Sequence, residues 1–440
     1  MGLVVPFRRA NLPAVLIDDS PATRRATEAA GAPVHRIAIP LLYTLMGFVL
    51  LRSACMIPLT NPGTDFTPIW TAANKYWAGE PVFNSDYTID MPHYLYSPAG
   101  TVLISPVALF PTESMARAVM AYLGAASIIG AIALASWMVS RRWFHIAFPL
   151  TVSFFFITPE PVQWTLALTN INGFMLLLEV LFVWLSLRLR EKGVGWKGHF
   201  NRPEAWAAGI VAGIAVSIKP QFGVLFIVSL AFAQVAVVAV AALVSIVTFA
   251  IGWFTIAEPE LFFTNLVPYL SEPRPRFNGS IGGLAIVHGW SDATVMALTV
   301  LTLVGTLAAV VTLWRWKEVD PVMFSFTAIA VCFAGGFMVS GLMQNYYAIW
   351  FIPFVLTVCR PRSPMHWPVT VLALLFMVAN PIWPATGNAM LDEMVTHMPG
   401  FMFIALPLIV AAWGAVQIFK DRSESEAVVE SEAAGRHALA

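Results

Sequence analysis

Charge is scarce in this chain. Asp, Glu, Lys and Arg make up 11% of its 440 residues, against roughly 25% in a water-soluble domain. The 25 basic residues are matched by 25 acidic ones, so no net field draws the chain to a polyanion such as nucleic acid. Cysteine is scarcer still. Cys55, Cys332 and Cys359 stand far apart with no CxxC pair, which excludes a disulfide framework and a cysteine-built zinc site. No GxxxxGKS/T phosphate loop, HExxH helix or GxSxG turn occurs, and no other His, Asp and Glu grouping shows metal-ligand spacing. Residues 1–36 carry Arg8, Arg9, Arg24, Arg25 and Arg36, but no apolar stretch follows the early arginines as in a cleavable signal peptide.

What is abundant is hydrophobic surface, at 58% of residues, above the roughly 45–50% of soluble domains. Such a chain is solvated by lipid, so it reads as one all-α polytopic membrane domain rather than a secreted enzyme or cytosolic module. Apolar runs recur near 37–57, 115–139, 143–158, 165–187, 236–257, 293–314, 322–342, 348–359, 367–383 and 399–419. Basic clusters at Arg141-Arg142, 188–202, Arg315 with Lys317, Arg360 with Arg362, and 420–422 mark the cytoplasmic ends. That sidedness requires residues 205–232 to enter and return on one side. Pro220 breaks this run and Lys219 lies at its middle. The expectation is ten to twelve spans with a broken helical hairpin near Lys219. It places a cytoplasmic N-terminal tail at 1–36, the membrane domain at 37–419 and a cytoplasmic, unfolded tail at 420–440. The long outer loops fall at about 58–114, 258–291 and 384–398.

Most residues with chemistry lie on the outer side. Asp65, about eight residues beyond the first span, is placed either to take a proton from a sugar hydroxyl or to cap the helix announced by Pro68. His93, Tyr94 and Tyr96 form a run in which the tyrosines either anchor the interface or line a sugar site. Asn170 and Asn172, at the outer end of a span, either cap a helix or bind hydroxyls. Lys219 in apolar surroundings needs a partner: the phosphate of a lipid, or Glu179 within a buried leucine run. The second long loop carries Arg274 and Arg276 on the side where arginine is uncommon, which suggests phosphate contact, together with Asn278. His288 in that loop reads as a lone structural histidine. Gln344, Asn345, Tyr346 and Tyr347 face the same compartment.

Three stretches carry a family likeness: 65–111 with its HYLYSP run, 168–184 (LTNINGFMLLLEVLFVW) and 217–223 (SIKPQFG). They resemble the polyprenyl-phosphate-sugar-dependent C-type membrane glycosyltransferases. Within these, FFT and PY at 262–269, FNGSI at 277–281 and QNYY at 344–347 look most like the α-(1→3)-branching arabinofuranosyltransferases of mycolate-type actinobacteria. The resemblance covers about residues 60–360. It implies a C-type fold in the plasma membrane, with both termini cytoplasmic and an outer active site. It implies inverting transfer from decaprenyl-phosphoryl-arabinose to cell-wall arabinan, in arabinogalactan or lipoarabinomannan, making α-(1→3) branches. Asp65 then falls on the base, and Lys219 on the phosphate contact with Arg274 or Arg276. The sugar and acceptor contacts fall among His93, Tyr94, Tyr96, Asn170, Asn172, Asn278, Gln344, Tyr346 and Tyr347. Thr64-Asp65 lacks a second adjacent carboxylate, so the expected chemistry needs no metal or other cofactor. A polyprenyl-phosphate-mannose-dependent mannosyltransferase and a lipid-linked-sugar flippase or transporter are the competing readings.

Overall fold

The structure is a computed structural model that describes residues 21–60, 65–89, 92–143, 145–157, 159–275, 278–378 and 386–437. Side chains at 21–36, 57–60, 389–390, 422 and 424–437 are outside the description, as is Arg276 entirely.

The first span lies in α1 (Pro21–Thr60), and the long segment after it, the first of those expected on the outer side and named outer on that basis, contains α2 (Phe66–Ala78) and α3 (Pro98–Ile104). A long α4 (Glu113–Ser140) descends, short α5 (Ala147–Ile157) and α6 (Glu160–Ala167) climb back, and α7 (Asn172–Glu191) descends again. The hairpin comprises α8 (Pro203–Ile218), a 3-10 turn and α9 (Phe226–Ala231), followed by α10 (Val235–Thr255). The second outer segment holds α11 (Val267–Ser271) and α12 (Ile281–His288). After it come α13 (Asp292–Leu313), α14 (Trp316–Val319) and α15 (Pro321–Val339). A 3-10 helix at Asn345–Phe351 leads into α16 (Ile352–Leu356), then α17 (Pro368–Val378) and α18 (Ala389–His437).

Among the described residues, seven helices are long and apolar enough to cross a membrane, and six shorter apolar helices of 10–17 residues accompany them. The expected ten to twelve spans thus resolve into full crossings and partial ones. The shortfall has a local cause. Prolines open or interrupt several of the short segments, and a run of 11 or 12 residues at about 1.5 Å each covers about half of a roughly 30 Å core. The stretch from Lys420, expected to stay unfolded, continues α18 to His437. Its Ala- and Glu-rich composition has adequate helix propensity and no proline.

Ion pairs gather the basic clusters at one end of the bundle. Arg190 meets Glu318 at 2.7 Å, Arg360 meets Asp320 at 2.7 Å, and Arg315 meets Asp421 at 2.6 Å. Arg141 approaches Glu191 at 3.8 Å. Residues 205–232 do return to the end they leave. α8 starts beside the Lys192–Glu204 pair (3.3 Å), and α9 ends where the Lys317 ammonium donates to the Ala231 carbonyl at 3.0 Å. Pro220 explains the turn. It has no N–H to continue α8, and it holds Lys219 in extended backbone (φ −133°, ψ 100°). The carbonyl of Ser217 then has no helical partner, and Ser97 Oγ, from the first outer segment, donates to it at 2.9 Å. That bond docks the outer segment on the break.

Helix α8 lies close against α10 through Gly209 and Gly213, four residues apart. A Cβ added at Gly209 would come within 2.5 Å of Val240 Cβ, and one at Gly213 within 2.9 Å of the Ala241 carbonyl. Small residues at this spacing let membrane helices approach backbone to backbone. Gly213→Val is therefore expected to lower the thermal midpoint of detergent-purified protein, at a cost of about 1–3 kcal/mol for overpacking. Gly130→Ala, whose added carbon meets only Leu177 Cδ1 at 3.9 Å, should not lower it. Equal midpoints for both variants would contradict this account of the hairpin.

Candidate active site

Asp65 sits at the first position before α2, where an aspartate ordinarily caps. Here it does not: its side chain makes no capping bond. Its Oδ2 instead accepts from Asn170 Nδ2 at 3.2 Å and from the Tyr346 hydroxyl at 3.1 Å. Partners 105 and 281 residues away in sequence thus hold a carboxylate that its own helix leaves free. Oδ1 makes no hydrogen bond with the described residues. Burial pushes the Asp65 carboxyl above its ordinary value of 3.8, while Asn170, Tyr346 and the positive charge of Lys219 pull it back.

Asn170 is itself pinned. Its Oδ1 accepts the Asn172 N–H at 3.1 Å in a tight turn ahead of α7, so one end of the amide is fixed to the chain while the other holds Asp65. The preceding Thr169 has φ +54°, a left-handed conformation that costs a β-branched residue energy. The strain turns the chain sharply between α6 and α7, so that Asn170 faces Asp65.

Lys219 projects from the break into three aromatic rings. Its Nζ lies 4.9 Å from the Tyr347 centroid, 5.5 Å from Trp350 and 5.8 Å from Tyr96. Each ring face attracts the cation while leaving its N–H donors unspent. Among the described residues Lys219 has no salt bridge to Glu179, the partner considered from sequence. The carboxylate whose field it feels is Asp65. Trp350 was not among the sequence candidates. The signal was its spacing, because in a 3-10 helix residues three apart eclipse, and Tyr347 and Trp350 stack at 4.9 Å and 21°.

The other candidates divide. Arg274 places its guanidinium 3.8 Å over Tyr269 and is near enough to bear on Tyr347. His93 joins Tyr87 and Tyr269 in a ring cluster with centroids 4.9–5.1 Å apart, which binds the two long outer segments together. Tyr94 is buried and donates to Thr101 Oγ1 at 3.0 Å, so its hydroxyl is already used. Asn278 is committed to main chain: it donates to the Gly341 carbonyl and accepts from Ser280 and Met343 N–H groups at 2.9–3.0 Å. Asn172 and Gln344 keep buried amide oxygens without partners. His288 is not alone, for Glu393 and His397 lie beside it. Arg276 lies outside the described residues.

The outcome is a carboxylate freed from its cap, with one oxygen open to a proton, and a caged lysine whose charge bears on it. Comparison with known proteins decides the family. The profile of glycosyltransferase family 87 matches residues 94–341. The chain belongs to this family. It is therefore a multi-pass membrane glycosyltransferase. A protein of Mycobacterium tuberculosis named alpha-(1->3)-arabinofuranosyltransferase is 31% identical over 335 residues, 76% of this chain and 74% of that one. Proteins of the same name from Corynebacterium glutamicum and Mycolicibacterium smegmatis are each 29% identical, over 78% of both chains. No solved structure matches the chain.

The family 87 match spans Tyr94, Asn170, Lys219 and Asn278 and stops just short of Tyr346, so the aromatic cage closes from outside the matched segment. If Asp65 acts ionised, the acidic limb of the pH–rate profile lies above 3.8. Asn170→Ala and Tyr346→Phe, each removing a donor to the charged form, move that limb further up. A limb shifted down in either variant would sink this reading.

Proposed function

We propose that this family 87 enzyme transfers an arabinofuranosyl residue from a polyprenyl-phosphoryl-arabinose donor to an arabinan hydroxyl, making an α-(1→3) branch with inversion. The observation that carries the proposal is the joint setting of Asp65 and Lys219, supported by the names of three relatives that share about three-quarters of their length with it. Asp65 Oδ1 takes the proton of the acceptor hydroxyl as that oxygen bonds to the anomeric carbon. The bond from that carbon to the phosphate oxygen breaks, and the phosphate leaves with the electron pair. Lys219, with Arg274 from the facing segment, offsets the charge that develops on the phosphate. A polyprenyl phosphate is a competent leaving group, so the transfer step asks for no metal at Asp65. The unpaired amides of Asn172 and Gln344 are suited to sugar hydroxyls, and the ring platform of Tyr87, His93 and Tyr269 to the acceptor face.

The site lies at the end of the bundle opposite the arginine clusters. α15, 19 residues or about 28 Å long, separates Asp320 from the 3-10 helix that carries Tyr346. With the positive end cytoplasmic, Asp65 faces the outer side of the plasma membrane, where arabinan is assembled.

The test is a membrane assay with synthetic polyprenyl-phosphoryl-arabinose and a short α-(1→5) arabinan, its product linkage read by NMR. A new α-(1→3) branch is expected. Asp65→Asn should lose roughly 10²–10⁴-fold in turnover while still binding donor lipid. Lys219→Gln should raise the KM for donor and lower turnover. Mannose transfer from polyprenyl-phosphoryl-mannose run in parallel would keep the mechanism and discard the sugar. No transfer from either donor, with lipid movement intact in Asp65→Asn, would favour a transporter instead.

A further inference from the structure

His288, Glu393 and His397 come together far apart in sequence but close in space. Glu393 and His397 are four residues apart on the first turns of α18 and so share one face of it. His288 ends α12, where Gly289 (φ +63°) closes the helix. One donor atom from each of the three residues lies within 4.8 Å of the others. His288 Nδ1 is 3.8 Å from Glu393 Oε1, and the two imidazoles meet edge to face at 4.9 Å. Trp290 stacks on His288 at 5.5 Å, and Phe401 closes on the same ring.

Simple packing leaves two atoms unexplained. His288 Nε2 and His397 Nδ1 are both buried and have no hydrogen-bond partner. The His397 ring lies near the Glu393 main-chain carbonyl without a well-formed hydrogen bond to it, whereas a histidine placed for packing would use such nitrogens fully on a carbonyl or hydroxyl. The His288 nitrogen that faces the Glu393 carboxylate is Nδ1, at 3.8 Å, so with Nε2 unpartnered this imidazole, His397 and Glu393 together form a ligand set.

We propose that these three side chains bind a divalent transition metal, with Zn²⁺ the best match. Two imidazoles and one carboxylate suit a borderline cation; Ca²⁺ and Mg²⁺ favour oxygen shells. Tetrahedral Zn²⁺, at about 2.0–2.1 Å from each ligand, needs donors about 3.4 Å apart. Side-chain rotation of the half-exposed Glu393 and the two rings closes that gap. Three protein ligands leave a fourth position for water. The cluster is also placed where an ion can reach it. The apolar stretch Leu391–Asp421 spans 31 residues, about 46 Å of helix. Asp421 is fixed at the arginine end, so the opposite turns extend past a core of roughly 30 Å.

The site would clamp α18 to α12 beside the catalytic segment. Gly400, one turn below His397, packs on the Gly279 backbone, where an added Cβ would come 2.8 Å from the Gly279 oxygen. Gly279 N–H donates to the Met343 carbonyl at 2.8 Å, three residues before Tyr346. Metal at this site is thus a structural tie behind the Asp65 pocket, separate from the transfer chemistry.

The experiment uses the full chain, purified in detergent through a tag without histidine, stripped with chelator and titrated with Co²⁺. Binding is expected to produce visible d–d absorption of a nitrogen- and oxygen-ligated ion, displaced by Zn²⁺, at roughly one equivalent per chain. Glu393→Gln, which preserves size, and His397→Gln should each weaken Co²⁺ binding at least about tenfold. His366→Gln, at a histidine outside the cluster, should leave it unchanged. Because the Co²⁺ spectrum is read on the unmodified protein, a misfolded variant does not rescue or defeat the idea. Absence of the band, or equal affinity in all variants, would overturn the site, whatever the sugar assay shows.

Discussion

A lysine can lie deep in a lipid-solvated bundle only if its charge is answered, and the rest of the site is arranged around that requirement. Pro220 stops α8 and exposes both the Lys219 side chain and an orphaned carbonyl at Ser217. The carbonyl is satisfied by Ser97, and this one bond brings Tyr96 to the lysine. The far side of the cage comes from the 3-10 helix that follows α15. Its first tyrosine, Tyr346, reaches past the cage to Asp65. Carboxylate and cation are therefore positioned by shared segments. A shift in the hairpin would disturb both.

Much of this architecture was legible in the residues. Proline beside lysine in an apolar run announced the broken hairpin, and the positive clusters required it to turn back. The ion pairs of Arg190, Arg315 and Arg360 now join those clusters physically. Asp65 stood out because it was acidic, near a span and on the side poor in basic residues. What could not be read was which of two roles it plays, because a capping aspartate and a held one have the same local sequence. The distinction depends on Asn170 and Tyr346, and contacts over such separations leave no periodic trace. Asn278 shows the converse. It sits in a recognisable motif, yet its amide is consumed by backbone groups.

His288 was obscured for a related reason. Alone in its loop it signalled nothing, and the Glu393–His397 spacing lacked the second histidine of a familiar metal helix. Only the parallel packing of α13 on α18, with Gly305 against Leu408 and Gly414 against Thr312, brings the two parts together. Trp350, by contrast, carried a usable signal in its three-residue offset from Tyr347, which matters only once the segment is known to be a 3-10 helix rather than an α-helix.

The seat of Lys219 has a kinetic meaning. An ammonium held by a carboxylate sits in a narrow, directional well and must give up that partner before it can serve another anion. The faces of Tyr96, Tyr347 and Trp350 offer a broad and shallow well instead, with no lone pairs to align. In the proposed transfer, this lets the cation follow the phosphate oxygen as it recedes, at little reorganisation cost. The three rings act as a bearing: they keep the charge in place without tying its N–H groups to any one acceptor.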